Sequence, residues 1–285
     1  VQVEIIHAAG AQLGEGPAWD AKTETLYWVD ILGKRVYSHH KGENGFVQLD
    51  EMPGCLAPTK NGTLLVAACA SILELDPASG KQTILATVSE PDNNRFNDGK
   101  CDPSGRFLAG SMNMDEISPT GGLYSFDGQT VTQLLTGVTI SNGLAWSPDY
   151  KTLYYIDTPT REVKAYDYNP STDQIANPRV VISIPEELGR PDGMTSDMAG
   201  NLWIAMWGGA QVTRWNPNSG LLLEQIQLPA KNVTSCTFGG PNLDELYITS
   251  ARVGLEATDL AAYRHSGDLM RVNPKVEGMP TFEFG

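Results

Sequence analysis

The sequence predicts an all-β fold, a six-bladed β-propeller with four-stranded antiparallel blades, and three observations carry that expectation. The chain of 285 residues holds 29 Gly and 18 Pro, a density of breakers that suits many short elements joined by turns and not a helical bundle. Six short segments resemble one another: residues 25–30, 63–66, 106–110, 152–157, 201–205 and 245–249. Anchored on Leu26, Leu64, Phe107, Leu153, Leu202 and Leu246, they recur at steps of 38, 43, 46, 49 and 44 residues. Strand–turn–strand units repeating at about 40–50 residues mark a propeller. A sandwich or a set of unrelated hairpins is the rival, and it offers no reason for the period.

The elements follow in order. Val1-Gln2-Val3-Glu4-Ile5-Ile6-His7 alternates apolar and polar residues and reads as a strand; residues 3–6 are expected to complete the last blade and close the ring, which removes open sheet edges. Each recurring segment is aromatic or β-branched and apolar on both faces, as a strand buried between layers should be. Turn chemistry precedes most of them: Asp102-Pro103-Ser104-Gly105, Ser147-Pro148-Asp149, Asp197-Met198-Ala199-Gly200 and Gly239-Gly240-Pro241-Asn242. A third strand follows in most units and ends in its own turn, as at Asp76-Pro77, Asp127-Gly128, Asn169-Pro170, Asn216-Pro217 and Asn273-Pro274. Further β-rich sequence comes after, as in residues 130–135. Six such units account for residues 1–285 as one propeller domain.

Charge excludes other classes. Lys and Arg total 20 against 34 Asp and Glu, a formal net charge of −14. Such a chain repels phosphate backbones and anionic membranes, and no basic cluster offsets this, so neither nucleic acid nor membrane is expected as a partner. No apolar run approaches the roughly 18 residues of a spanning helix. Cys55, Cys69, Cys101 and Cys236 show no CxxC and no zinc-like spacing. Without a disulfide framework a cytoplasmic location is expected, and the missing initiator Met leaves a removed leader open. The two glycosylation-type sequons, at Asn61 and Asn232, read as turns.

In a propeller the innermost strand of each blade lines the central channel, with its first residues at one mouth. Counting back from the anchors locates those positions. Eleven before Leu26 is Glu15, ten and nine before Phe107 are Asn97 and Asp98, eleven before Leu153 is Asn142, and ten before Leu202 is Asp192. Four blades thus place a carboxylate or carboxamide at equivalent depth, each with a Gly close behind. Asn-Gly and Asp-Gly are also turn dipeptides, but Glu15 is no turn former. Carboxylates gathered at a narrow mouth repel one another and resist ionisation, which a divalent cation relieves. Glu15 and Asp192 with the Asn142 carbonyl make an all-oxygen set that suits Ca²⁺, Mg²⁺ or Mn²⁺, whereas Zn²⁺ usually takes His or Cys. His7, His39, His40 and His265 lie in no metal-binding pattern, and Gly-x-Ser-x-Gly, GxGxxG and phosphate-loop motifs are absent. The six Trp residues fall mostly within strands and read as core, with Trp207 left between core and pocket wall.

At these residues the sequence resembles the regucalcin/gluconolactonase/luciferin-regenerating family, over nearly the full chain. The matching blocks are Gly14-Glu15-Gly16-Pro17-Ala18-Trp19-Asp20, Arg95-Phe96-Asn97-Asp98-Gly99-Lys100, Ser141-Asn142-Gly143-Leu144, Pro191-Asp192-Gly193-Met194 and Phe238-Gly239-Gly240-Pro241-Asn242-Leu243. The resemblance implies a six-bladed propeller with one catalytic divalent metal near the axis, held by Glu15, Asn142 and Asp192, with Asp192 also transferring protons. It places Arg95 and Asn97 at substrate-contacting positions, and aligns a further acidic contact with Asp115, where the shorter side chain and the neighbouring Glu116 make the role ambiguous.

The expected activity is therefore hydrolysis of a sugar lactone such as gluconolactone, with Ca²⁺ favoured and Mn²⁺, Zn²⁺, Mg²⁺ or Fe²⁺ as other candidates. A metal Lewis acid stabilises charge on the lactone carbonyl or lowers the pKa of water, Asp192 takes a proton, and Arg95 and Asn97 orient the polyol. Organophosphate cleavage by the same constellation and a non-catalytic calcium-binding propeller stay open, and motif alone does not separate the luciferin-regenerating branch. The expected partner is a small-molecule lactone bound by a monomer or weak homo-oligomer, with substrate choice set by the rim loops 31–35 and 114–121.

Overall fold

A computed structural model describes residues 1–285 and contains six four-stranded antiparallel sheets, each made of strands consecutive in sequence except the last. Blade 1 runs outward from the axis through Gly14–Asp20, Thr25–Asp30, Arg35–His40 and Glu43–Gln48. Blades 2 to 5 repeat this order from inner strands Pro53–Pro58, Asn94–Cys101, Ser141–Trp146 and Arg190–Ser196. Blade 6 starts at Asn232–Gly239 and takes its outermost strand from the N-terminus: Glu4–His7 pairs with Leu269–Val272, so the first residues close the ring. The six sheets stay separate and each keeps its own edges, so the closure ties the last blade to the first without removing sheet edges.

Burial grades from axis to rim as the sequence pattern requires. The inner strand Gly14–Asp20 and its neighbour Thr25–Asp30 are buried throughout, whereas the outer strands Glu43–Gln48 and Gln82–Thr87 are almost wholly exposed. No blade can bury two apolar faces alone, so each packs on the next. Six apolar clusters fill the interfaces: Val29, Val36, Leu56 and Val66 lie between blades 1 and 2, and Trp19, Trp28, Tyr247 and Leu269 between blades 6 and 1. Buried acids tie the turns to the sheets. Asp197 accepts from the Trp203 indole and from Arg214 at 2.6 Å, and Asp102 accepts from Arg106 at 2.9 Å and from Tyr168. The one α-helix, Ala257–Ala262, lies in a blade 6 insertion, and no helix is long and apolar enough to cross a membrane.

Two features set the functional end of the channel. The last residues run across one mouth: Met279 donates to the Ser196 carbonyl, Phe284 to that of Pro58, and Phe282 packs edge-on to Trp146. They line, with Asp98 and Lys100, a small space of about 40 Å³ inside the channel. The second feature is a break in pairing register in every inner strand, between residues 15 and 18, 53 and 55, 96 and 99, 142 and 144, 191 and 194, and 233 and 235. A β-bulge re-aims side chains and strengthens local twist. The Asn142-Gly143 and Asp192-Gly193 pairs are therefore interior to strands and not turns.

The glycines permit the inner strands to crowd at the axis. Gly16 and Gly143 take positive φ of 51° and 23°, and Gly54 sits against the neighbouring blade. A Cβ at residue 54 would lie 2.5 Å from the carbonyl carbon and oxygen of Phe96 and 2.7 Å from that of Asn97. Both are backbone, so relief requires displacing the strand that carries Arg95 and Asn97. Gly54→Ala is expected to cost about 1–3 kcal/mol of stability, read as a lower urea midpoint with an unchanged slope.

Candidate metal centre and cavity

Opposite the strapped mouth the channel widens into a cavity of about 380 Å³. Its lining includes Glu15, Arg95, Asn97, Asn142 and Asp192, all of them buried, whereas Asp98, which the count along the sequence places at the same depth, lines the small space behind the strapped mouth instead. They come from the bulged segments of blades 1, 3, 4 and 5, far apart in the chain and joined only by ring geometry.

Hydrogen bonds fix their orientation around three blades. Arg95 Nη1 donates to Asn97 Oδ1 at 2.7 Å, and Asn97 Nδ2 donates to Asn142 Oδ1 at 3.1 Å and to the Ser141 carbonyl at 2.8 Å. Asn142 Nδ2 donates to Thr158 Oγ1 at 2.8 Å, and Thr158 donates onward to the Pro191 carbonyl at 2.9 Å. Thr158, at the end of a blade 4 strand, carries no signal in the sequence, yet it couples Asn142 to the strand of Asp192. The Asn142 carbonyl oxygen keeps one lone pair beyond the bond from Asn97.

The two acids differ from Asp102 and Asp197, which are paired with arginines. Glu15 and Asp192 are offered only backbone amides, from Gly16 at 3.1 Å and from Gly193, and neither takes part in any ion pair. Burial, and then the charge of Asp98, pushes the Glu15 carboxyl up to about 8. Burial, and then the charge of Glu15, holds Asp192 well above the usual carboxylate range. Burial also raises Asp98, one of whose oxygens has no hydrogen-bond partner; the Lys100 ammonium, bound to the Met194 carbonyl in the channel, opposes that rise. Arg95 is pulled down by burial, with the Glu15 charge working against that.

These donors fit a hard divalent cation. Two under-coordinated carboxylates would supply negative charge and the oriented Asn142 carbonyl a third oxygen, leaving positions for water or substrate. With only two acids at the centre, no group of three His, Cys, Asp or Glu forms here or elsewhere.

Asp115 is not brought to the cavity. It is exposed, its amide bound to Asn113 Oδ1 at 2.9 Å, and the next residue, Glu116, lines the wall instead. The reason is local backbone: Glu116 takes a left-handed φ of 59°, which reverses the loop. Across the cavity Arg190 approaches Glu116 at 4.0 Å, and Trp207 is part of the wall.

Comparison with known proteins agrees with this geometry. Residues 13–252 match the family model described as "SMP-30/Gluconolactonase/LRE-like region". Regucalcin of Danio rerio is 36% identical over 291 residues, covering 100% of this chain and 98% of its own. A luciferin-regenerating enzyme superimposes with a TM-score of 0.92 at 35% identity, covering 99% of each chain. A regucalcin of Agrobacterium tumefaciens, described as a calcium-binding protein, superimposes with a TM-score of 0.94 at 28% identity, covering 99% of this chain and 96% of that one. The full-length identity, with the bulged acids and amides at the axis, makes the chain a member of the SMP-30/gluconolactonase/LRE-like family.

Proposed function

We propose that the protein is a divalent-metal-dependent lactonase that opens a lactone ring to the hydroxy acid. The observation that carries this reading is a pair of buried carboxylates without cationic partners, beside an oriented carboxamide, at the floor of an open cavity. The family model, whose description includes gluconolactonase, supports the reaction class. Glu15, Asn142 and Asp192 would hold the ion, Ca²⁺ being favoured by the all-oxygen donors and by the description of the Agrobacterium relative. Once bound, the cation supplies Lewis-acid stabilisation of the charge that develops on the lactone carbonyl.

The chain's own groups do the rest. Asp192, on the cavity floor, takes the proton of the attacking water in this reading. Arg95, whose Nη1 is held by Asn97 Oδ1 and the Phe96 carbonyl, keeps its Nε and Nη2 donors for the substrate, and Asn97, both of its N–H groups committed, holds that guanidinium in place at little entropic cost. Glu116 takes the acidic wall position in place of Asp115.

The test is acid release from gluconolactone by metal-stripped protein, with Ca²⁺, Mn²⁺, Zn²⁺, Mg²⁺ and Fe²⁺ restored singly. Turnover is expected to vanish on stripping and to return with at least one ion. A folded protein that binds metal yet turns over no lactone would instead be a non-catalytic cation-binding propeller.

A further inference from the structure

The floor of the cavity is polar, while most of its wall is apolar. Leu32, Met52, Met114, Ile140, Trp207 and Val253 surround the opening, one from each of the six blades in turn. They sit at strand ends or in the connections just beyond: Leu32 in the turn before Arg35–His40, Met52 ahead of Pro53–Pro58, Val253 after Glu245–Ala251. Three remain substantially open to solvent, with Leu32 at 38%, Met114 at 44% and Val253 at 36% exposure. Large apolar side chains clustered at the rim of a cavity mark a surface that a ligand covers.

The wall's charged groups do not change this. Glu116 and Arg190 stand 4.0 Å apart with both side chains 57% exposed, so they stay hydrated at one side of the collar. At the floor Asn97 is committed to Asn142 and Ser141, while Arg95, bound through Nη1 to Asn97, keeps donors for the ring and carbonyl of the substrate. A substrate whose carbonyl lies on the floor must therefore direct its ring substituent up through the apolar collar. Hydroxyl groups set against the collar side chains would lose water without gaining partners from them. Methylenes or an aromatic ring would be desolvated favourably, each fully buried methylene being worth about fourfold in affinity.

We infer that the preferred substrate is a lactone bearing an apolar substituent, an alkyl or aryl group on the ring, and not a polyhydroxylated one. This rests on the lactonase reading and specifies its substrate. The collar recognises the substituent, while the ring and carbonyl are handled by the floor.

The test is kcat/KM of the metal-loaded protein on γ-lactones that share one ring and carry hydrogen, methyl, butyl or octyl at the γ-carbon, beside gluconolactone. Values are expected to rise about tenfold from methyl to butyl, and the butyl lactone to exceed gluconolactone. The double variant Leu32→Asn, Met114→Asn alters two exposed side chains that the core does not need, and it is expected to flatten the dependence on chain length. Gluconolactone preferred over every alkyl lactone, or a dependence on chain length that the double variant leaves intact, would overturn the inference and leave the lactonase reading standing. No turnover of any lactone with any metal would overturn that reading, and this inference with it.

Discussion

Asp192→Ala is expected to lower kcat/KM for lactone hydrolysis by about a thousandfold or more, the upper part of the range for removing a general base. The loss is large because the substitution removes two contributions at once: an oxygen donor for the cation and the acceptor for the water proton. Asp192→Asn separates them. It keeps a carbonyl donor, so metal affinity measured by calorimetry should fall less than in the alanine variant, while turnover at saturating metal stays low. Neither change opens a void in an apolar interface, since Asp192 faces the cavity. Full activity in Asp192→Ala would end the role assigned to this residue.

The second large effect is a pH-dependent response of stability to metal. In the folded, metal-free chain Glu15 titrates near 8 instead of its ordinary 4.5, and Asp192 is shifted in the same direction. Between those pH values the native state holds a proton that the unfolded chain has released. Stability from Glu15 is therefore fully present below about 4.5 and is lost as pH rises through 8. A divalent cation takes both groups as carboxylates, so its binding displaces protons and strengthens with pH. Thermal unfolding with chelator is expected to show Tm falling from pH 5 to 8, while the increase in Tm on adding Ca²⁺ grows over the same interval. At metal a thousandfold above Kd the gain is about 4 kcal/mol. Taking the difference at one pH cancels groups away from the ion, including Lys100, which burial pulls down. Glu15→Gln should remove most of the response. A metal-induced shift of equal size at pH 5 and pH 8 would contradict the assignment of these two acids as ligands.

The propeller was legible because its cause is periodic. A blade is one local unit, and the Leu or Phe anchors mark its second strand wherever it recurs, so spacing alone located six sheets and, counting back, the inner strands. The same count brings Glu15, Asn97, Asn142 and Asp192 to one depth, and it places Asp98 with them although that side chain lines the space at the other mouth. Less legible was the reason for the glycines. Asn142-Gly143 has the composition of a turn, and only the pairing register shows a bulge inside a strand.

What the sequence by itself determined was the blade repeat, the ring closure by residues near Val3 and Ile5, and the polar floor, because each depends on position within a repeat and on side-chain chemistry. Tertiary structure alone decided the rest. Glu116 and not Asp115 reaches the cavity because one left-handed residue turns the loop. Thr158 joins the site because its blade packs on the next. The apolar collar forms from single residues at six loop ends, each ordinary in its own segment, and they converge only when the ring closes: proximity across a propeller mouth is set by closure geometry, which no local pattern encodes.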